Sequence, residues 1–127
     1  MKHQFDPAVG IIVLQTQIWG PHGTSAVNLA LDTGASSTLL SWDAFIELGY
    51  DPSTTGQRIA VTTGSGIEYC PHVNVDRLRV LGKAVPHLSV LCHGLPARSG
   101  VDGLLGLNFL RRFDLRVNFK QGFITLR

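Results

Sequence analysis

Residues 28–40, NLALDTGASSTLL, run an apolar segment straight into a carboxylate. Val27, Leu29 and Leu31 recur with period two, the spacing that puts alternate side chains on one face of a strand. Asp32 follows at once, and then Thr33, Gly34 and Ala35. A charge at the end of a buried strand is costly unless it is paired, hydrogen-bonded or neutralised. A turn is the ordinary explanation, because Asp, Thr and Gly all favour turns and Asp can hydrogen-bond its own backbone. Here the triplet directly follows an apolar strand, which places the carboxylate at the edge of the core.

The rest of the chain reads mostly as short strands. GIIVLQTQIW (10–19) alternates, with Ile12, Leu14, Thr16 and Ile18 on one face, and GPHG (20–23) turns it into SAVNLALD (25–32). SWDAFIELG (41–49) predicts a helix. Ser41 suits its cap, Asp43 its positive end and Gly49 a left-handed stop, and Trp42, Phe45 and Ile46 share a face. QRIAVTT and IEYCPHVNVDRLRV flank a tight GSG (64–66), which reads as a hairpin. LGK (81–83) turns into AVPHLSVLC, and VDGLLG (101–106) is a short apolar strand. LNFLRRF (107–113) predicts a second short helix with Leu107 and Leu110 facing inward, and residues 114–127 a closing hairpin around KQG. Many short strands with two brief helices predict an all-β barrel or sandwich.

Composition narrows the function. A chain of 127 residues, 44% hydrophobic and 16% charged, fits one globular domain over residues 1–127 with a core of its own. Its net charge of +2 is too weak to make nucleic acid the expected partner. Arg111, Arg112, Arg116, Lys120 and Arg127 gather near one end against Asp114 alone, which reads as a solvated face or as a surface attracting acidic partners. The run at residues 9–14 is far short of the roughly 20 apolar residues of a spanning helix, so no membrane segment is expected. Residues 1–7 are polar and lack the pattern of a signal peptide. Two cysteines make no disulfide framework, so a reducing, cytoplasmic setting is the expectation.

Two further features bear on Asp32. A glycine-tipped hairpin, Thr63, Gly64, Ser65 and Gly66, lies about 30 residues on, and Leu104, Leu105 and Gly106 open a helix that carries Asn108. In this order the motifs resemble those of the retropepsin-like aspartic proteases, the single-domain relatives of pepsin, over roughly residues 9 to 127. The resemblance implies a small closed barrel of the acid-protease half type with two short helices. It also implies a peptide-hydrolysing homodimer, in which two Asp32 carboxylates share one proton and activate a water. By the same resemblance Thr33 reaches the partner's loop, Gly34 offers its N–H to the carboxylates, Ala35 completes the loop, and Leu104, Leu105 and Gly106 pack beside it. Residues 63–66 become a flap over a protein or peptide substrate.

None of Asp6, Asp43, Asp51, Asp76, Asp102 and Asp114 is followed by Thr-Gly or Ser-Gly, so the second carboxylate must come from a second copy. Retroviral enzymes usually place an Asp and an Arg where this chain has Ser36 and Leu107, and they end sooner after the helix. A catalytically silent domain used for peptide binding or dimerisation is therefore the alternative reading. Cys70, His72, His87, Cys92 and His93 could gather if their strands pair around Gly82. Their spacing matches no standard zinc pattern, and no metal or other cofactor is expected.

Overall fold

A computed structural model describes residues 2–95 and 99–127, and the backbone alone of Thr63. Alternation dictates the first hairpin. In β2 (Val13–Gly20) and β3 (Gly23–Leu31), Leu14 stands opposite Leu29 and Thr16 opposite Val27, and all four are buried. The chain then forms β4 (Thr38–Leu40), α1 (Trp42–Leu48), β5 (Arg58–Thr63), β6 (Gly66–Val80), β7 (Lys83–Cys92), β8 (Gly103–Leu105), α2 (Leu107–Leu110), β9 (Leu115–Asn118) and β10 (Phe123–Leu126).

Six strands close on themselves in the order β2-β3-β8-β4-β7-β6, and β6 returns to pair with β2. The neighbours β3 and β8 are parallel, as are β4 and β7; the other pairings are antiparallel. This is the expected all-β barrel with two short helices. Its interior is filled by Leu14, Ile18, Leu29, Leu40, Val75, Leu78, Leu105 and Phe109, none more than 1% exposed. The 15-residue β6 serves two partners: residues 66–71 pair with β5 and residues 72–80 with β7. The change falls at Pro71, which has no N–H to give a ladder. The β5–β6 hairpin consequently leaves the barrel and turns tightly at Gly64 and Ser65.

Helix α1 begins and ends as its sequence dictates. The Ser41 hydroxyl accepts from the Ala44 N–H at 3.3 Å, and Gly49 stops the helix at φ 92°. Its inward face differs from expectation. Ala44, Phe45 and Leu48 are buried, whereas Trp42 and Ile46 are 40% and 54% exposed. Positions i, i+1 and i+4 meet the β2–β3 hairpin, and the face shared by Trp42 and Ile46 is left to solvent. Helix α2 is one turn rather than the predicted seven residues. Phe109 and Leu110 point into the core and Leu107 is only half-buried. Past Leu110 the chain continues in tight turns, with Arg112 N–H donating to the Phe109 carbonyl and Phe113 N–H to that of Leu110.

The closing hairpin forms as expected, with Ile124 opposite Val117. A short strand not read from the sequence, β1 (Lys2–Gln4), joins it antiparallel along β10, with Lys2 opposite Thr125. The inner face of this three-stranded sheet buries Ile124 and Leu126. None of the described helices is long and apolar enough to cross a membrane.

Strand β8 can sit between β3 and β4 only because it starts with a glycine. Gly103 stands opposite Leu29 on one side and Leu40 on the other, and a β-carbon there would collide with the Leu39 carbonyl. Gly103→Ala should therefore cost on the order of 3 kcal/mol, since backbone on both sides must shift. A urea melt reads this as a lowered midpoint, and an unchanged midpoint contradicts the packing.

Candidate active site

Asp32 lies at the end of β3, just past the last rung with β8. Its N–H donates to the Leu105 carbonyl at 3.1 Å, which extends the β3–β8 ladder by one bond. The chain then turns. The Gly34 N–H donates to Asp32 Oδ1 at 2.9 Å and the Ala35 N–H to the Asp32 carbonyl at 3.2 Å. The turn suggested by Asp-Thr-Gly is thus present, and the carboxylate it orients is half-buried. Thr33 and Gly34 are exposed, and the Thr33 hydroxyl has no hydrogen-bond partner among the described residues.

The loop is held from below by α2. The first N–H groups of a helix have no partner within it. Here Leu107 N–H donates to the Ala35 carbonyl at 2.8 Å and Asn108 N–H to the Ser36 carbonyl at 3.2 Å. Gly106, the cap residue, has no side chain to offer, so the loop supplies the acceptors. A β-carbon at Gly106 would also strike the Ser37 backbone.

A buried polar knot locks the two segments. Asn108 Oδ1 accepts from the Thr38 N–H and from the Thr38 hydroxyl, both at 2.8 Å. Thr38 Oγ1 in turn accepts from the Gly106 N–H at 3.1 Å, and Asn108 Nδ2 donates to the Ser89 carbonyl at 2.7 Å. Thr38 is fully buried. Sequence reasoning singled out Asn108 but missed Thr38; a hydroxyl in an otherwise apolar strand was the available signal.

Above the loop lies a groove of about 400 Å³. Asp32, Gly34, Ala35 and Ser36 form its floor, and Leu39, Leu91, Leu104 and residues 59–62 of β5 form its walls. Leu104 thus reaches the groove, while Leu105 and Gly106 are buried beneath the loop. The hairpin tip at residues 64–66 is exposed, and a β-carbon on Gly64 or Gly66 would meet nothing within 4 Å. The β5 wall was not read from the sequence, because it depends on a hairpin folding back over a distant loop.

The Cys/His group divides. Cys70 and His93 come together, joined by Glu68, with one donor atom from each within 4.8 Å of the others. His72 instead bonds Ser89 Oγ through Nδ1 at 3.1 Å, and His87 is exposed at φ 54°. Cys92 is buried outside the three-residue group. Burial pushes its thiol up to about 12, and the nearby Cys70 adds to the shift. Burial also raises Cys70, helped by Glu68 and opposed by Arg58.

A family model described as "gag-polyprotein putative aspartyl protease" matches residues 22–112. Among solved structures, the crystal structure of a retropepsin-like aspartic protease from Rickettsia conorii superposes with a TM-score of 0.75 at 20% identity, covering 99% of this chain and 88% of that one. At that identity the likeness establishes the fold. No curated protein sequence matches.

Two outcomes follow from this geometry. Asn108→Ala strips partners from the Thr38 N–H and hydroxyl and from the Ser89 carbonyl. It should cost on the order of 3 kcal/mol, and a denaturant midpoint close to that of the wild type would refute the knot. Cys92 is neutral in the folded chain up to about 12 and ionises from 9.0 once unfolded. Its contribution to stability is therefore complete below pH 9.0 and declines as pH rises toward 12, alongside the other groups that titrate there. Cys92→Ser should flatten the alkaline slope of thermal stability; an identical slope removes the link.

Proposed function

We infer that this chain, which belongs to the gag-polyprotein aspartyl protease family, is an aspartic endopeptidase that works as a homodimer. One observation carries the reading: the Asp32 carboxylate, fixed by the Gly34 N–H, lies on the floor of a groove walled by β5. A single carboxylate cannot be acid and base at once. Two copies brought loop to loop supply two, and close carboxylates share one proton because both cannot ionise together. The ionised member takes a proton from water, which attacks the peptide carbonyl. The protonated member donates to the carbonyl oxygen.

The surrounding residues fit these roles. In this reading the hydroxyl of the exposed Thr33 bonds the partner's loop. The tip at Gly64, Ser65 and Gly66 has room to close over an extended peptide as a flap. Leu39, Ile59, Val61, Leu91 and Leu104 give the groove an apolar lining, which favours apolar residues on both sides of the cut. Ser36 and Leu107, in place of the usual charged pair, leave the loop held by backbone bonds from α2.

The test is hydrolysis of an apolar peptide library by the purified chain, read by mass spectrometry over a dilution series. Specific activity should rise with protein concentration, peak in mild acid and fade toward neutral or basic pH, as a mechanism needing one proton shared by two carboxylates requires. Asp32→Asn should abolish cleavage and leave the circular dichroism spectrum unchanged. Cleavage by a monomer with no dependence on concentration would refute the shared-carboxylate mechanism. A dimer that binds peptides without cutting them would favour the silent alternative.

A further inference from the structure

We propose that Glu68, Cys70 and His93, at the base of the β5–β6 hairpin, form a binding site for a divalent metal ion of the zinc class. The ladder explains how they meet. His72 stands opposite Leu91, and continuing that register two residues places His93 beside Cys70. Glu68 lies two residues from Cys70 on the same face of β6. The ligands come from two strands, which is why their linear spacing resembles no zinc motif.

The convergence of three donor atoms carries the argument, and the surroundings of His93 support it. Its Nδ1 lies 2.6 Å from the Gly94 carbonyl, an acceptor only, so Nδ1 holds the proton. In the neutral ring Nε2 then presents a lone pair. That lone pair faces Glu68 Oε2, a second acceptor, at 2.8 Å. A contact this short needs a positive charge at Nε2, which a proton or a bound metal ion can supply. A proton satisfies two groups, but here a third donor, the Cys70 sulfur, converges on the same point. Sulfur, imidazole and carboxylate together match zinc's preferences. The bond from Nδ1–H to a backbone carbonyl is also the arrangement that orients metal-binding histidines.

The geometry is within reach. In a tetrahedral zinc site, ligand atoms stand roughly 3.4–3.6 Å apart. The histidine–glutamate pair must open slightly and the sulfur must close from within 4.8 Å. The side chains of His93 and Glu68 are 31% and 48% exposed and free to adjust, while Cys70 is buried and fixed. The open side admits the ion and leaves a fourth position for water. Binding expels the Cys70 thiol proton, because the metal takes the thiolate. The bound ion joins β6 to the segment after β7 and braces the hairpin where it leaves the barrel. It touches neither Asp32 nor the groove floor, so the proposal stands apart from the peptidase reading.

Chelator-treated chain titrated with zinc against a chromophoric competitor should take up one ion per chain. Cobalt in its place should give a thiolate-to-metal charge-transfer band, and zinc should raise the melting temperature. Cys70→Ser should remove the band, and His93→Gln should weaken binding at least about tenfold. Because His93 is partly exposed, that variant tests the site even if Cys70→Ser fails to fold. Cys92→Ser and Asp32→Asn should leave affinity and stoichiometry intact. Absence of a stoichiometric ion, a band that survives Cys70→Ser, affinity unchanged in His93→Gln, or binding lost in Asp32→Asn would each overturn the assignment.

Discussion

Two peptide N–H groups with no partner inside their own helix organise this molecule. Leu107 and Asn108 begin α2, and their donors go to the carbonyls of Ala35 and Ser36, some 70 residues away in sequence. Each half therefore satisfies the other: the helix gains a cap and the loop gains a floor. The Thr38–Asn108 knot sits directly behind this junction and leaves no buried polar atom there without a partner. The Asp32 carboxylate is thus positioned by main-chain geometry on one side and by its own turn on the other. Substitutions in the groove lining can alter what the groove accepts without disturbing either.

Most of the frame was legible because its signals are local. Period-two alternation marked β2 and β3, Gly82 and the glycines at 64 and 66 marked hairpin turns, and Ser41 and Gly49 bounded α1. The paired motifs at Asp32 and at residues 104–106 were legible as well, although they meet through the parallel β3–β8 pairing and the bonds from α2 to the loop. What was not legible depends on partners far along the chain. Nothing near Trp42 and Ile46 says that the β2–β3 hairpin will approach from the side of Ala44 and Leu48. Nothing in KHQ announces a strand until Phe123 and Thr125 arrive beside it. Glu68 was passed over for the same reason: it gains chemical meaning only from His93 across the ladder.

The long strand β6 links the two regions of interest. Its second half is barrel, rigidly packed through Val75 and Leu78, and its first half belongs to a hairpin with exposed Ile67 and Tyr69. One strand thus passes from a fixed framework to a projecting arm, and Cys70 and Pro71 mark the passage.

The parallel pairing of β3 with β8 also imposes an order in time. During synthesis, residues 23–40 leave the ribosome long before residues 103–108. The β2–β3 hairpin can form early from neighbouring residues, but the loop after it has neither floor nor cap until residues 103–108 have emerged. Strand β1 waits longer still, since its partner β10 follows α2 in the chain. The carboxylate is therefore made well before the segment that organises it, and the nascent chain carries Asp32 in an unfinished loop until residues 103–108 arrive.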